Sequence, residues 1–333
     1  MMKTFQHVNA KSISEAVQWM ADYGNKAKLI AGGTDLLGLL KQKVPVNYPE
    51  TLINLKTIEG MDQFQTDENG LTLGALVKLA DIAHSPVIKE AYPILAAAAD
   101  SVAMPQIRNI GTLGGNLAQE TRCWYFRYPR NIGGLVMCRR KGEGPCLAVK
   151  GDNRYHAIFG AGKCVAVCPS DMAVVLAALG GEIKIVGPKG KRSIAVMDFY
   201  HSLGNALSPD EIITEIRIPT PETVSRQVFI KHRVRSTIDF ALASVGMVAK
   251  FRGRICTEPR IVLGAVASGP FRATEAEKVL DDNEIDDQTA EKAAAAAVIA
   301  AVPLNRNAYK VEIVKVLVKK AIIAMLNGTS DTK

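Results

Sequence analysis

The sequence of 333 residues contains no apolar run long enough to cross a bilayer. Its longest such run, "AAAAAVIAAVPL" at 293–304, is too short and includes Pro303. The first residues, "MMKTFQHVNAKSIS", lack the apolar core of a secretory signal. We therefore expect a cytoplasmic protein with no membrane segment. Cysteines stay reduced in that compartment, so a group of them indicates a metal site rather than disulfides.

Two common phosphate-binding motifs are also absent, because neither G-x-G-x-x-G nor G-x-x-x-x-G-K-[ST] occurs. Internal repeats and low-complexity segments are absent as well. The chain has 48% hydrophobic and 22% charged residues, a composition typical of a folded protein. Its length suits two or three domains.

The net charge of +8 is concentrated in one segment. Between residues 121 and 154, eight basic residues stand against Glu143 and Asp152, an excess of +6. Three explanations are open: a solvated loop, compensation for an anionic centre held by thiolates, or a nucleic-acid surface. The aromatic residues that a nucleic-acid surface would use are Trp124, Tyr125, Phe126 and Tyr128. The basic residues are Arg122, Arg127, Arg130, Arg139, Arg140, Lys141, Lys150 and Arg154.

Hydrophobic periodicity predicts alternating strands and helices in the first half and mainly strands after residue 181. A helix is predicted at 12–24, where a serine precedes the apolar pattern and Gly24 follows it. One helix is predicted over 87–103. Five strands are predicted to form one antiparallel sheet: 182–188, 211–219, 226–235, 244–253 and 260–267. Helices are predicted at about 272–281, 288–302 and 309–326. We place the domain boundary between residues 180 and 181.

Two glycine-rich turns stand out, "AGGTD" at 31–35 and "GTLGGN" at 111–116. Glycines let a backbone approach a phosphate closely, and N–H groups near a helix N-terminus attract anions. One Gly-Gly pair is commonly just a structural turn. Two such turns could together bind one pyrophosphate, with Thr34, Thr112 and Asn116 adding side-chain hydrogen bonds.

Three segments in order carry a family resemblance: "AGGTDLL" at 31–37, "IRNIGTLGGNLA" at 107–118 and "PSDMAVVLAALGG" at 169–181. They resemble the FAD-binding medium subunit of the molybdenum hydroxylase, or xanthine dehydrogenase, family over nearly the whole chain. The resemblance implies an α+β protein. Its FAD-binding fold would be of the PCMH/vanillyl-alcohol-oxidase type with two α/β subdomains, 1–57 and 58–180. A domain like the C-terminal domain of the CO dehydrogenase flavoprotein would follow at 181–333.

The resemblance also implies residue roles. The first turn and its flanks would wrap the FAD pyrophosphate, and the second turn would complete the cradle. Asp171 would lie near the polar part of the flavin, and Ile213 and Lys231 near its ring. The residues implied are Leu29, Ile30, Ala31, Gly32, Gly33, Thr34, Asp35, Leu36, Ile107, Gly111, Thr112, Gly114, Gly115, Asn116, Asp171, Ile213 and Lys231.

About fifty residues, roughly 119–168, interrupt the family pattern. They resemble the insertion of the 4-hydroxybenzoyl-CoA reductase flavin (beta) subunit, which carries a [4Fe–4S] cluster. The ligands so implied are Cys123, Cys138, Cys146 and Cys164, with Cys168 as an alternative to Cys164. Zinc stays open from the residues alone, although structural zinc sites usually contain C-x₂₋₄-C pairs. Cys256 is expected to be an idle thiol.

We expect an electron-transfer subunit that is not catalytically complete alone. The resemblance implies a large molybdopterin subunit and a small subunit with two [2Fe–2S] clusters as partners, in a dimer of heterotrimers. A ferredoxin-like carrier would exchange electrons at the [4Fe–4S] cluster. The reaction would resemble 4-hydroxybenzoyl-CoA reduction. The alternative is an oxidative hydroxylase of xanthine, aldehydes or N-heterocycles. A nucleic-acid-binding protein and a self-contained flavin oxidase are the rival hypotheses.

Overall fold

The computed structural model describes residues 2–129, 136–142, 144–160, 162–222, 225–235 and 238–328. Of the charged residues counted above, Arg130 and Glu143 lie outside these ranges. Among the helices of the described residues, none combines the length and apolar character that a bilayer crossing requires.

The described part of the chain contains fifteen strands. In chain order they are β1 Gln6–Asn9, β2 Ala27–Ile30, β3 Thr51–Asn54, β4 Phe64–Asp67, β5 Gly70–Gly74, β6 Glu182–Gly187, β7 Gly190–Ala195, β8 Tyr200–His201, β9 Gly204–Asn205, β10 Ile212–Pro219, β11 Ser225–His232, β12 Ala243–Arg252, β13 Ile255–Gly264, β14 Phe271–Arg272 and β15 Asn283–Glu284.

The helices lie between these strands. In chain order they are α1 Ile13–Tyr23, α2 Leu36–Lys41, α3 Leu79–His84, α4 Pro86–Ala91, α5 Pro93–Ser101, α6 Pro105–Arg108, α7 Leu113–Leu117, α8 Trp124–Arg127, α9 Asp171–Ala178, α10 Thr274–Leu280, α11 Asp287–Ala296 and α12 Tyr309–Leu326. Single 3₁₀ turns occur at Gly24–Lys26, Arg139–Lys141, Leu147–Val149 and Val196–Asp198.

The first sheet is parallel, with strand order β1-β3-β2. Helix α1 begins where predicted, because the Ser12 side chain accepts a hydrogen bond from the Glu15 N–H at 3.1 Å. Its apolar face, Ala16, Val17 and Met20, is buried. Strand β2 then leads through the first glycine-rich turn into α2. The carboxyl end of this sheet therefore opens onto that turn.

The second sheet is antiparallel, with strand order β4-β5-β10-β6-β7. Strand β10 pairs with β5 on one side and with β6 on the other. The prediction of one antiparallel sheet after residue 181 is therefore wrong for β6 and β10. They lie apart from the later strands because their apolar residues pack in the same core as β5 and α9. The second sheet spans the predicted boundary at 180/181.

The third sheet has strand order β11-β12-β13-β14, with β15 on β13. Helices α10, α11 and α12 pack with it around a second core. Ile158 and Phe159, which lie within the cysteine-rich segment at 119–168, belong to this core. Phe159 stacks on Phe271 with ring centroids 4.0 Å apart. The third sheet thus anchors that segment.

The helix predicted over 87–103 is divided in two. Helix α4 ends at Ala91, and α5 begins at Pro93. Proline lacks an N–H and disfavours helical geometry in the residue before it. Tyr92 accordingly has φ −130° and ψ 55°. The predicted mixture of α-helices with parallel and antiparallel sheets, an α+β architecture, is confirmed.

Candidate functional site

A cleft of about 880 Å³ lies at the carboxyl end of β2 and extends to α9 and β11. All the residues predicted to bind the cofactor line it except Gly114 and Ile213. Ile213 is buried in β10, where it pairs with Ile185 of β6. The predicted residues that line the cleft come from four separate parts of the chain, near residues 30, 110, 171 and 231.

The two glycine-rich turns touch each other directly. A Cβ atom added to Gly32 would lie 2.2 Å from the Ile110 carbonyl oxygen, so only glycine fits there. Gly33 has φ +69°, a conformation that favours glycine. This contact brings the first turn, before α2, beside the second glycine-rich segment, whose residues from Leu113 onward form α7 and not the predicted turn. Both segments therefore face one cleft.

The second turn is fixed by hydrogen bonds of its own. Thr112 precedes α7, and its Oγ1 accepts from the Gly115 N–H at 3.2 Å. The Ser170 hydroxyl donates to Asn116 Oδ1 at 2.6 Å, which joins the turn to the start of α9. Gly114 instead faces the core, where its N–H donates to the Ala75 carbonyl at 2.8 Å.

A buried ion pair closes the far end of the cleft. Lys231 Nζ lies 2.6 Å from Asp171 Oδ2, and their side chains are 5% and 7% exposed. Lys231 also donates to the Ser101 carbonyl at 3.1 Å. Asp171 is the first residue of α9, where a carboxylate is favoured by the helix dipole. The sequence places these residues 60 positions apart, and the fold brings them together.

Asp35 connects the cleft to the cysteine-rich segment. Its carboxylate accepts from Arg127 Nη2 at 2.6 Å and from the Glu120 N–H at 2.9 Å. Arg122 Nη1 lies 3.1 Å from the same carboxylate. Burial lowers the pKa of Arg122 to about 10, although Asp35 opposes this change. The guanidinium group of Arg122 lies over the ring of Phe240, 4.6 Å from its centroid.

Four of the five cysteines between 119 and 168 are neighbours. A hydrogen bond between the thiols of Cys146 and Cys164 lowers the pKa of Cys146 to about 5 and raises that of Cys164. Burial raises the pKa of Cys123, and nearby Cys138 and Cys146 add to the rise. Cys138 packs against Leu39 of α2 in a small apolar cluster. Cys123 thus interacts with Cys138 and Cys146, and Cys146 with Cys164. We call these four predicted ligands the cysteine group.

Hydrogen-bond donors surround these sulfur atoms. The Ala166 N–H lies 3.4 Å from Cys164 Sγ. The positive charge of the nearby Arg140 opposes the rise in the pKa of Cys164. His156 Nε2 lies 3.3 Å from Cys123 Sγ. Within the described residues, no three His, Cys, Asp or Glu side chains are placed as ligands of one metal ion.

Cys168 occupies a different environment. It belongs to the first core, and its N–H donates to the Ala267 carbonyl at 2.9 Å. Burial raises its pKa to about 11. Cys256 is fully buried in β13, where burial raises its pKa to about 12.

The C-terminal domain holds the cysteine-rich segment through polar side chains. Asn153 Nδ2 donates to the Ala148 carbonyl at 3.0 Å and to Asn305 Oδ1 at 2.6 Å. Lys310 is fully buried and donates to the His156 and Ala265 carbonyls, at 3.0 and 2.5 Å. Burial lowers the pKa of Lys310 to about 7.

Several of these residues could not be identified from the sequence. The sequence shows Arg122 and Arg127 only as part of a charge excess, whereas the structure pairs both with Asp35. His156 and Lys310 give no signal, because a single histidine and a helix-borne lysine fit many roles. A lysine at a position of the apolar face of α12 is the one pattern that could have indicated Lys310.

Comparison with known proteins assigns both parts of the chain. The family described as the FAD binding domain in molybdopterin dehydrogenase matches residues 3–221. The CO dehydrogenase flavoprotein C-terminal domain matches residues 229–325. The first matched range thus ends just after β10, and the second begins within β11.

Curated relatives agree with these matches. The chain is 36% identical over 289 residues to the aldehyde oxidoreductase FAD-binding subunit PaoB of Escherichia coli, covering 84% of this chain and 86% of that one. It is 26% identical to the carbon monoxide dehydrogenase medium chain of Afipia carboxidovorans, covering 96% of each.

Solved structures show the same fold. Carbon monoxide dehydrogenase from Hydrogenophaga pseudoflava matches with a TM-score of 0.79 and 25% identity, covering 99% of both chains. Quinoline 2-oxidoreductase from Pseudomonas putida matches with a TM-score of 0.77 and 25% identity, covering 99% of this chain and all of that one.

Proposed function

Because the chain belongs to the FAD-binding medium subunits of the molybdenum hydroxylase family, we propose that it passes electrons between FAD and a [4Fe–4S] cluster. FAD would link these to the [2Fe–2S] clusters of a partner subunit. Substrate chemistry would take place on a large molybdopterin subunit. The observation that carries the proposal is the joining of the cleft to the cysteine-rich segment through Asp35.

The cleft fits FAD. Its volume of about 880 Å³ suits an extended dinucleotide, and the first turn offers the N–H groups of Gly32 and Gly33 for a pyrophosphate. Thr34 and Asn116 would add side-chain hydrogen bonds. Asp171 and Lys231 would contact the polar part of the flavin. When bound, FAD supplies the exchange between two-electron and one-electron transfer.

The donor chemistry of the cysteine group suits an iron–sulfur cluster, in which each iron takes one thiolate, rather than a single metal ion, for which no three ligands are placed among the described residues. A [4Fe–4S] cluster needs four thiolates, and Cys123, Cys138, Cys146 and Cys164 are neighbours. A cluster bound by four thiolates is anionic, so the buried Arg140 beside Cys164 would stabilise it. Cys168, held in the core, would remain a free thiol.

The same observations weigh against the nucleic-acid hypothesis. Arg122 and Arg127 are largely buried and paired with Asp35, and Arg140 is paired with Glu120. Buried, paired cations do not form the exposed stripe that binds phosphates. We instead propose that the remaining basic surface guides an acidic ferredoxin-like carrier to the cluster.

We propose a complex that contains the large molybdopterin subunit and the small two-cluster subunit, doubled into a dimer of heterotrimers in the cytoplasm. Two reactions are candidates for it. The cysteine insertion favours reduction of an aromatic CoA thioester of the 4-hydroxybenzoyl type. The 36% identity to an aldehyde oxidoreductase subunit favours aldehyde oxidation.

The test is metal and flavin analysis of the anaerobically purified complex, with an absorption spectrum before and after dithionite. One FAD and about four irons assigned to this chain support the proposal. Zinc in place of iron would contradict the proposed cluster but not FAD binding. Absence of flavin would overturn the proposed function as a whole. Activity assays with an aromatic aldehyde and with 4-hydroxybenzoyl-CoA then separate the two reactions.

A further inference from the structure

His156 is a buried imidazole beside a cysteine of the group. Its Nε2 lies 3.3 Å from Cys123 Sγ, and the residue is 3% exposed. Nothing in the function proposed above uses this contact. A buried polar ring placed against a thiol normally makes a hydrogen bond.

The backbone of His156 is held on both sides. Its carbonyl accepts from Asn307 Nδ2 at 3.1 Å and from Lys310 Nζ at 3.0 Å, and its N–H donates to the Asn153 carbonyl at 2.9 Å. The Trp124 ring lies edge-on to the imidazole, with centroids 6.0 Å apart. These contacts fix the distance between Nε2 and the sulfur.

The direction of the hydrogen bond follows from the chemistry of the sulfur. A cysteine that binds iron does so as a thiolate and has no proton to donate. The proton between Cys123 and His156 must then belong to Nε2. The other ring nitrogen, Nδ1, is buried and has no hydrogen-bond partner among the described residues. In a neutral imidazole protonated on Nε2, only the lone pair of Nδ1 has no hydrogen-bond partner.

We propose that His156 is a positioning and tuning residue for the [4Fe–4S] cluster, donating an N–H···S hydrogen bond to Cys123 that raises the reduction potential of the cluster. This inference rests on the function proposed above. Reduction adds one negative charge to the cluster, so a donor at a ligating sulfur stabilises the reduced form more than the oxidised form. The cluster would then accept an electron from FAD more readily than it would without this donor.

His156 is the donor to these sulfurs that substitution can test cleanly. The Ala166 donor is a backbone N–H, and Arg140 also pairs with Glu120. Gln at 156 places its side-chain amide nitrogen near the position of Nε2. Asn places it near that of Nδ1, too short to reach Cys123. His156→Gln and His156→Asn thus form a matched pair of similar polarity.

The experiment is a redox titration of the cluster in the anaerobic complex, followed by electron paramagnetic resonance. Relative to wild type, His156→Asn and His156→Phe should lower the ratio of reduced to oxidised cluster at a fixed potential about tenfold, a fall of about 59 mV for one electron. His156→Gln should stay near wild type. Tyr309→Phe, which removes only a hydrogen bond to the Arg154 carbonyl in the same segment, should also match wild type.

The outcomes are distinct. Wild-type complex without about four irons on this chain overturns the proposed function itself. If the wild-type complex contains the cluster but His156→Gln and His156→Asn have equal midpoint potentials, only the inference about His156 is overturned. If the Phe variant does not retain iron, the Gln and Asn pair still decides the question.

Discussion

The cleft and the cysteine-rich segment are built in opposite ways. The cleft is formed largely by backbone: the first glycine-rich turn and the start of α7, with Gly32 against the Ile110 carbonyl. The segment at 119–168 has little regular structure of its own, only the four-residue α8 and short 3₁₀ turns among its described residues. Side chains from elsewhere hold it, above all Asp35, Asn307 and Lys310.

The difference teaches how each region depends on the rest of the chain. A turn between a strand and a helix is specified by a few neighbouring residues, so its geometry is local. A segment without a sheet or long helix must satisfy its carbonyl groups with distant donors. Lys310 does so at a cost, since burial opposes its charge. We therefore expect a substitution in one region to leave the cofactor binding of the other intact.

The largest expected effect is on metal content. Cys146→Ser should abolish iron binding while FAD binding persists, because the thiolate is needed for the cluster and the cleft is built without it. Iron and flavin analysis of the purified complex measures both. Cys256→Ser, in β13 outside the cysteine-rich segment, is the control and should keep both cofactors. Loss of flavin together with iron in Cys146→Ser would show that the two regions are not separable.

Next is the ion pair at the far end of the cleft. Lys231→Met leaves Asp171 as a buried, unpaired carboxylate, which should lower the free energy of unfolding by about 3–5 kcal/mol. Denaturant unfolding measures it. Lys315→Met, which breaks an exposed pair with Glu312, is the control and should cost under about 1 kcal/mol. Equal losses in the two variants would contradict the burial argument.

Lys310 makes the anchoring of the segment depend on pH. Its folded pKa of about 7 lies below the unfolded value of 10.5, so the unfolded chain binds more protons between these values. Stability should therefore rise from pH 7 to pH 9.5, by roughly 3 kcal/mol from this group. Lys310→Met should lack that part of the rise.

Unfolding curves of wild type and of Lys310→Met across that range measure the difference. Other groups titrate equally in both proteins and cancel in the comparison. Parallel curves of stability against pH would show that Lys310 remains charged when buried.

The smallest expected effect concerns the turns. Gly32→Ala should reduce FAD occupancy and cost about 1–3 kcal/mol, because the added Cβ would force the two turns apart. Gly204→Ala in β9 is the control, since its Cβ would make only an ordinary contact, 3.6 Å from the His201 ring, outside the cleft. That variant should keep FAD and change the free energy of unfolding by less than about 1 kcal/mol. Full FAD occupancy in Gly32→Ala would contradict the close contact of the turns.

Sequence patterns were sufficient for most regular elements and for the cleft residues near 30 and 110. Strand-turn-helix signals are local, so Ser12, Gly32 and Thr112 could be identified without a fold. The pairing of β6 and β10 with β5 could not, because strand partners depend on which apolar faces share a core. Pro93 marked a break in the predicted helix that periodicity overlooked.

By itself the sequence determined the two turns, the family to which they belong, and the presence of a cysteine-rich segment between them and α9. Local chemistry is enough for these, since glycine, capping hydroxyls and cysteine act through their own neighbours. Only the tertiary structure decided that Asp35 joins the cleft to the segment, that Cys168 lies in the core, and that His156 faces Cys123. These relations depend on residues up to 154 positions apart, which only the packed chain brings within hydrogen-bonding distance.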